Sequence, residues 1–192
     1  MSDARDRSAS WLVVIDMQRI FGEPESAWFT PRFADAAAGI ERLAPSFGHR
    51  VVHPRFVAPE APENAWAPYY DLWPFALVAP DDALYELVPS SSIADDQVVS
   101  ATTFGKWGPD LDGAIGGSRE IVLAGVSTDC CVLSTALAAA DAGVHVRVAA
   151  DACAGLSDTD HQRALDAMAL YAPLVEITDI AAVQASLAGT SA

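Results

Sequence analysis

The sequence predicts an α/β protein of one domain, a Rossmann-like three-layer α/β/α sandwich on a mainly parallel sheet of about six strands. Three observations carry that prediction. Short apolar runs alternate with helical patterns from end to end, the first run stops at an acid, and neither a linker nor an internal repeat divides the chain. At 192 residues there is enough chain for one ample core, and one domain fits better than two. We place that domain at residues 10–185, behind a polar, flexible N-terminus at residues 1–9.

Trp11–Asp16 (WLVVID) is an uninterrupted apolar run, as a strand buried on both faces requires. Phe33–Phe47 has helical spacing and an alanine-rich body. Arg50–Val57 (RVVHPRFV) reads as a second strand, with Pro54 marking its end. Residues 58–92 are irregular and rich in proline and aromatics, the signature of a functional lid or binding loop. Gln97–Ala101 is a short strand, followed by FGKWG and a short helix from about Asp110. Glu120–Gly125 (EIVLAG) is a buried strand, and Thr128–Ala142 a helix closed by Gly143, which suits a left-handed C′ position. Val144–Ala149 is a strand, Asp160–Tyr171 a helix, and Leu174–Ile177 closes the sheet.

Composition narrows the function. A net charge of −15, with ten arginines and one lysine, excludes nucleic-acid binding through the phosphate backbone. No run of 18 apolar residues suggests a membrane span, and MSDARDRSAS lacks the apolar core of a signal peptide. Three cysteines make no disulfide framework, so a reducing cytoplasm is the expected setting.

Parallel sheets of this type bind ligands beyond the carboxyl ends of their strands. Two places qualify: Asp16, and the stretch Gly125–Cys131 (GVSTDCC). They are neighbours if their strands flank the switch point. A cysteine in the first turn of a helix faces unsatisfied backbone N–H groups and the positive end of the dipole, which favours thiolate and can stabilise an oxyanion. Cys131 is the better placed; Cys130 is rotated by ~100° and cannot face the same pocket equally. Burial of both as small hydrophobes is the alternative.

GVSTDCCVLSTALAAADAG, with WLVVIDMQRIF and VAADACAG, resembles the isochorismatase-like cysteine hydrolases, which include nicotinamidases and N-carbamoylsarcosine amidases. The resemblance runs from about residue 10 to 178 and rests most on a G-V-[AST]-T-D-x-C-V signature, here Gly125 to Val132. It implies that Cys131 is the nucleophile and Asp16 the proton shuttle. It also implies a cis peptide between Val126 and Ser127, and an oxyanion hole from the Ser127 and Cys131 amides. Gln18, in the same stretch as Asp16, reads as structural.

The family's third catalytic group is a lysine, and its usual position here is Ala101. The chain's single lysine, Lys106, lies five residues later, ~16 Å along an extended chain. A turn at Phe104-Gly105 would bring it back over the strand ends as a displaced catalytic lysine. A solvent-exposed loop lysine is the alternative.

Some nicotinamidases bind a divalent ion near the second strand through an Asp-x-His pair. VVHPRFVAPEAP has His53 without that pairing, so no metal and no cofactor are expected. Phe21, Trp73 and Trp107 are candidate substrate-binding aromatics and Arg55 a candidate for a substrate carboxylate or urea carbonyl, with a surface salt bridge as its alternative. The aromatics of the 58–92 loop, among them Trp66, Tyr69, Tyr70, Trp73 and Phe75, suit a pocket wall or a subunit interface equally. The resemblance implies a homodimer or homotetramer.

The combined expectation is a metal-independent cysteine amidohydrolase cleaving a C–N bond of a small amide, ureide or lactam through a thioester. The alternatives are an isochorismatase-type vinyl-ether hydrolase, and a binding protein on the same fold whose chemistry is impaired at Ala101.

Overall fold

A computed structural model describes residues 9–88 and 93–190, so residues 1–8 of the expected flexible N-terminus and 89–92 of the expected loop lie outside the described residues. The strands are β1 (Trp11–Ile15), β2 (Val51–Phe56), β3 (Val98–Ala101), β4 (Glu120–Val126), β5 (His145–Ala154) and β6 (Val175–Thr178). All pair in parallel, in the order β3-β2-β1-β4-β5-β6. The chain therefore starts in the middle of the sheet, builds outward to one edge, and returns to build the other. The switch point falls between β1 and β4, which run in register from Trp11↔Ile121 to Ile15↔Gly125.

Helices cover both faces, as continuous apolar strands demand. Alternate residues of β1 enter different cores. Leu12 and Val14 pack with α2 (Phe33–Leu43) and α7 (Ile180–Thr190). Val13 and Ile15 pack with α4 (Pro109–Ala114), α5 (Leu133–Asp141) and α6 (Asp158–Ala169). At the switch point the two central strands crowd together. Gly125 has φ +115°, and a Cβ there would lie 2.1 Å from the Ile15 carbonyl oxygen. No larger residue fits.

Several boundaries differ from the sequence reading. The 33–47 helix ends at Leu43 and tightens into a 3₁₀ turn, Ala44–Phe47, because Pro45 has no N–H to continue the α-ladder. The 128–142 helix opens with a π-turn, Thr128–Val132, before α5. Strand β5 runs on to Ala154, past a register shift opposite Leu123–Gly125. The 58–92 stretch carries the helix α3 (Trp66–Leu72) and 3₁₀ turns at Pro74–Ala76 and Ala83–Tyr85. The sequence reading had no counterpart for α1 (Arg19–Gly22), one turn long, or for α7. Ile180, Val183 and Leu187 of α7 face the core at helical spacing, but the alanines on its other faces make that stripe faint in the sequence. Among the described residues, no helix is long and apolar enough to cross a membrane.

Candidate active site

Asp16 is the first residue beyond β1 and adopts a left-handed φ of 51°, uncommon for a residue with a side chain. Its N–H donates to the Pro54 carbonyl at 3.0 Å. Gln18 secures the exit: its amide donates to the carbonyls of Phe56 (2.8 Å) and Tyr85 (2.9 Å), and its oxygen accepts from the Phe56 N–H (2.8 Å). A fully buried amide with these partners is a satisfied strut, as the sequence reading had it.

Beyond β4, the Val126–Ser127 peptide is cis, and Ser127 leads into the π-turn. Asp129 Oδ1 accepts from Ser127 Oγ and from the Leu156 N–H, both at 2.9 Å, which pins the turn to the loop after β5. Thr128 Oγ1 meets His161 Nδ1 at 2.8 Å. Within the turn the two cysteines diverge: Cys130 is exposed and Cys131 is buried against the α4–α5–α6 core.

Lys106 arrives from the side. Ala101 is held in β3, two strands from β1, and its carbonyl accepts from the Val57 N–H at 3.0 Å. The chain then bends at residues 102–104, and the Lys106 N–H donates to Thr135 Oγ1 at 2.9 Å. Thr135 Oγ1 in turn donates to the Cys131 carbonyl at 2.6 Å, so one hydroxyl ties the lysine loop to the cysteine turn. The lysine is buried, not exposed. Its ammonium donates to the Thr103 carbonyl at 2.6 Å, lies 3.1 Å from Asp16 Oδ2, and sits 5.6 Å from the Phe56 ring centre. Asp16, Cys131 and Lys106 thus converge; Ala101 contributes no side chain to the cluster.

Burial dominates the electrostatics. It raises the Asp16 pKa above the ordinary carboxylate range, while the Lys106 charge pulls in the opposite direction. It drives the Cys131 thiol well above its usual value, with the Asp16 charge adding to the rise and Lys106 opposing it. The helix start pulls the other way but is the smaller effect: a dipole contributes ~0.3–1 kcal/mol, whereas full burial shifts a pKa by up to ~3–5 units. The Cys131 thiol and the Phe56 N–H both lie near enough to favour the Asp16 carboxylate, though neither meets it in standard hydrogen-bond geometry. That leaves the carboxylate able to take a proton. Such contacts commonly tighten only when substrate is bound.

A cavity of about 350 Å³ opens onto Cys131, Lys106 and Ser127. Phe21, Trp28, Phe56, Trp66, Tyr69 and Trp73 are among its aromatic lining. Trp28 stacks on Phe21 at 6.0 Å and meets Phe56, Trp73 and Phe75 edge-on at 5.1–6.1 Å. The structure thus puts Phe21 and Trp73 in the cavity, with Trp66, Tyr69 and Tyr70 from the same loop. Trp107 is not in its wall. It packs against the α4–α5–α6 core, because the bend that turns Lys106 inward toward Asp16 sends the next side chain to the other side. Nor is Arg55, which alternates with the inward-facing Phe56 on β2 and donates instead to Ser100 Oγ of β3 at 3.0 Å. Phe56, Phe104, Thr103 and Thr135 were missed; only the four-residue helical spacing of Thr135 from Cys131 could have flagged one of them.

Among the described residues, no three His, Cys, Asp or Glu side chains converge as a metal set would. His53 stands apart beneath α2, its Nδ1 buried without a partner and its pKa pushed down to about 4 by desolvation.

The isochorismatase domain family matches residues 10–182. The chain belongs to the isochorismatase family. An isochorismatase domain-containing protein 2 from Xenopus laevis is 30% identical over 164 residues, 83% of this chain and 67% of that protein. In three dimensions, a cysteine hydrolase from Pseudomonas syringae pv. phaseolicola 1448A superposes with a TM-score of 0.82 at 20% identity, covering 96% of this chain and 94% of that one. A pyrazinamidase of Pyrococcus horikoshii, solved with zinc, gives 0.70 at 23% identity over 89% and 99%. The likeness establishes the isochorismatase-like hydrolase fold, and membership of the family supports hydrolase activity.

Proposed function

We propose that this protein is a cysteine hydrolase that cleaves the C–N bond of a small amide, ureide or lactam through a thioester on Cys131. The observation that carries the reading is the buried cluster itself: a thiol, a carboxylate and an ammonium, with the last two 3.1 Å apart, beneath an aromatic cavity that Cys131 and Lys106 line. Isolated burial of such charges costs several kcal/mol per ion. A fold that needed only packing would fill these positions with apolar side chains.

In this reading Asp16 takes the Cys131 proton as sulfur attacks the carbonyl carbon. The oxyanion forms against the Ser127 and Cys131 amides. As the C–N bond breaks, the proton passes from Asp16 to the leaving nitrogen, and an amine or ammonia departs. Water then gives Asp16 a proton and adds to the thioester as hydroxide. The C–S bond breaks, and the proton returns to sulfur. Lys106 keeps Asp16 ionised despite its burial and steadies charge as the thiolate forms. Because the thiol pKa is raised, ionisation has to accompany attack, which makes the adjacent base necessary.

The test is turnover of a panel of small amides, ureides and lactams, read as ammonia or amine release for the first two and as the ring-opened amino acid by mass spectrometry for the lactams. Wild-type enzyme should turn over at least one compound, chelator should leave the rate unchanged, and Cys131→Ala should abolish it. Turnover that survives Cys131→Ala would end the thioester reading. A cytoplasmic homodimer or homotetramer remains part of the proposal, supported by the exposed Leu170, Tyr171 and Leu174 after α6; light scattering would check the assembly.

A further inference from the structure

We infer that the substrate is uncharged, and that its acyl part is a flat or puckered apolar ring rather than a carboxylate-bearing chain. The inference rests on the hydrolase reading for which bond is cut, but not for which ligand fits.

The charged groups of the cavity decide it. Of the described residues lining it, only Lys106 and Asp129 carry a formal charge; no arginine or histidine is among them. The Lys106 ammonium is already committed, to Asp16 Oδ2 at 3.1 Å and to the Thr103 carbonyl at 2.6 Å. Asp16 neutralises it, and Asp129 leaves the set with one net negative charge, inside a chain of net charge −15. A substrate carboxylate would lose its water here and meet no free cation, the costly case for a buried charge. The one arginine that the sequence offered for this task, Arg55, is turned toward Ser100.

Cations are not favoured in return. Asp129 Oδ1 already accepts two hydrogen bonds, from Ser127 Oγ and the Leu156 N–H, and Oδ2 faces the Cys130 thiol at 3.8 Å. The aromatic rings of the lining pack on one another: Trp66 lies 5.4 Å from Tyr69 and 5.6 Å from Phe104, edge-on or tilted, and Trp28 meets Phe75 edge-on. A lining of this kind suits a ring that can meet it stacked or edge-on. The volume of about 350 Å³ is at the small end of the ~300–1,000 Å³ range for ligand pockets, matching a single ring with its carboxamide.

The experiment measures binding apart from turnover. Full-length Cys131→Ala protein is titrated with benzamide, cyclohexanecarboxamide, 3-carbamoylbenzoate and 3-(aminomethyl)benzamide at neutral pH. Quenching of Trp28, Trp66 and Trp73 fluorescence reports occupancy, and calorimetry supplies the Kd. The two uncharged rings should bind, the carboxylate about 100-fold more weakly and the ammonium at least about tenfold more weakly. The inference is overturned if either charged compound binds within about threefold of benzamide, or if neither uncharged ring binds at millimolar concentration. Failure of the hydrolase reading shows differently: benzamide and cyclohexanecarboxamide bind the variant, yet wild-type enzyme shows no Cys131-dependent hydrolysis of any small amide, ureide or lactam.

Discussion

The floor and the walls of the cavity are built on opposite principles. The floor is ionic and dry. Asp16, Lys106 and Cys131 come from three separate connections, and hydrogen bonds to the Pro54 and Thr103 carbonyls and through the Thr135 hydroxyl fix them. The walls are apolar and drawn from several segments, with Trp28 and Tyr69 each touching several other rings. A buried charge tolerates no vacancy, because its partner is then stranded in low dielectric. A ring cluster loses contact area in proportion to what is removed. Substitutions in the floor should therefore fail abruptly, and those in the walls by degrees.

The largest effect is expected at Asp16. Asp16→Asn should lower kcat by about 10⁴-fold while the protein stays folded, since the amide cannot take the thiol proton. In the wild type, kcat/KM should fall as pH drops through the raised Asp16 pKa, giving an acid limb above the ordinary carboxylate range. A limb at the ordinary value, or a rate kept by Asp16→Asn, would break the contrast.

Lys106→Met comes next. Turnover should drop about 10²–10³-fold, and stability by up to about 3–5 kcal/mol at neutral pH, because Asp16 is left buried without its partner. The sign with pH follows from Asp16, an acid whose folded-state pKa is raised: its stabilising contribution is present below the unfolded pKa and is lost as pH rises through the folded one. Removing the ammonium raises that folded pKa further. The deficit should thus widen with rising pH and nearly close in acid, and Asp16→Asn in the same chain should recover most of it. Thermal melts across pH would check both statements.

Trp28→Ala probes the walls. It should cost about 2–4 kcal/mol of stability and raise KM for a ring-bearing amide about tenfold, with kcat changed much less. A collapse of kcat instead would mean that the walls set the floor's geometry. The smallest effect is expected from Arg55→Ala, outside the cavity: kcat/KM within about twofold and stability within about 0.5 kcal/mol of wild type.

Much of the floor was legible in the sequence because its positions are tied to the ends of strands. An apolar run stopping at Asp16 and another stopping before GVSTDCC mark two carboxyl ends, and a parallel sheet collects such ends along one edge. The walls were legible only as composition. The 58–92 segment announced its aromatics but not which would face inward, since one helix and two 3₁₀ turns there set the directions.

The sequence by itself determined the alternating fold, the positions of Asp16 and Cys131 at strand ends, and the singularity of Lys106. Tertiary structure alone decided that β1 and β4 are neighbours, that Lys106 swings back from β3 to meet Asp16, and that Trp107 and Arg55 face away. The physical reason is range. Strand and helix patterns arise from neighbours a few residues apart, whereas Lys106 is placed by Thr135 and Asp16, 29 and 90 positions away along the chain. The same closure bears on Cys131: its place at a helix start favours a thiolate, and its burial, which only the packed core imposes, pushes the thiol pKa up.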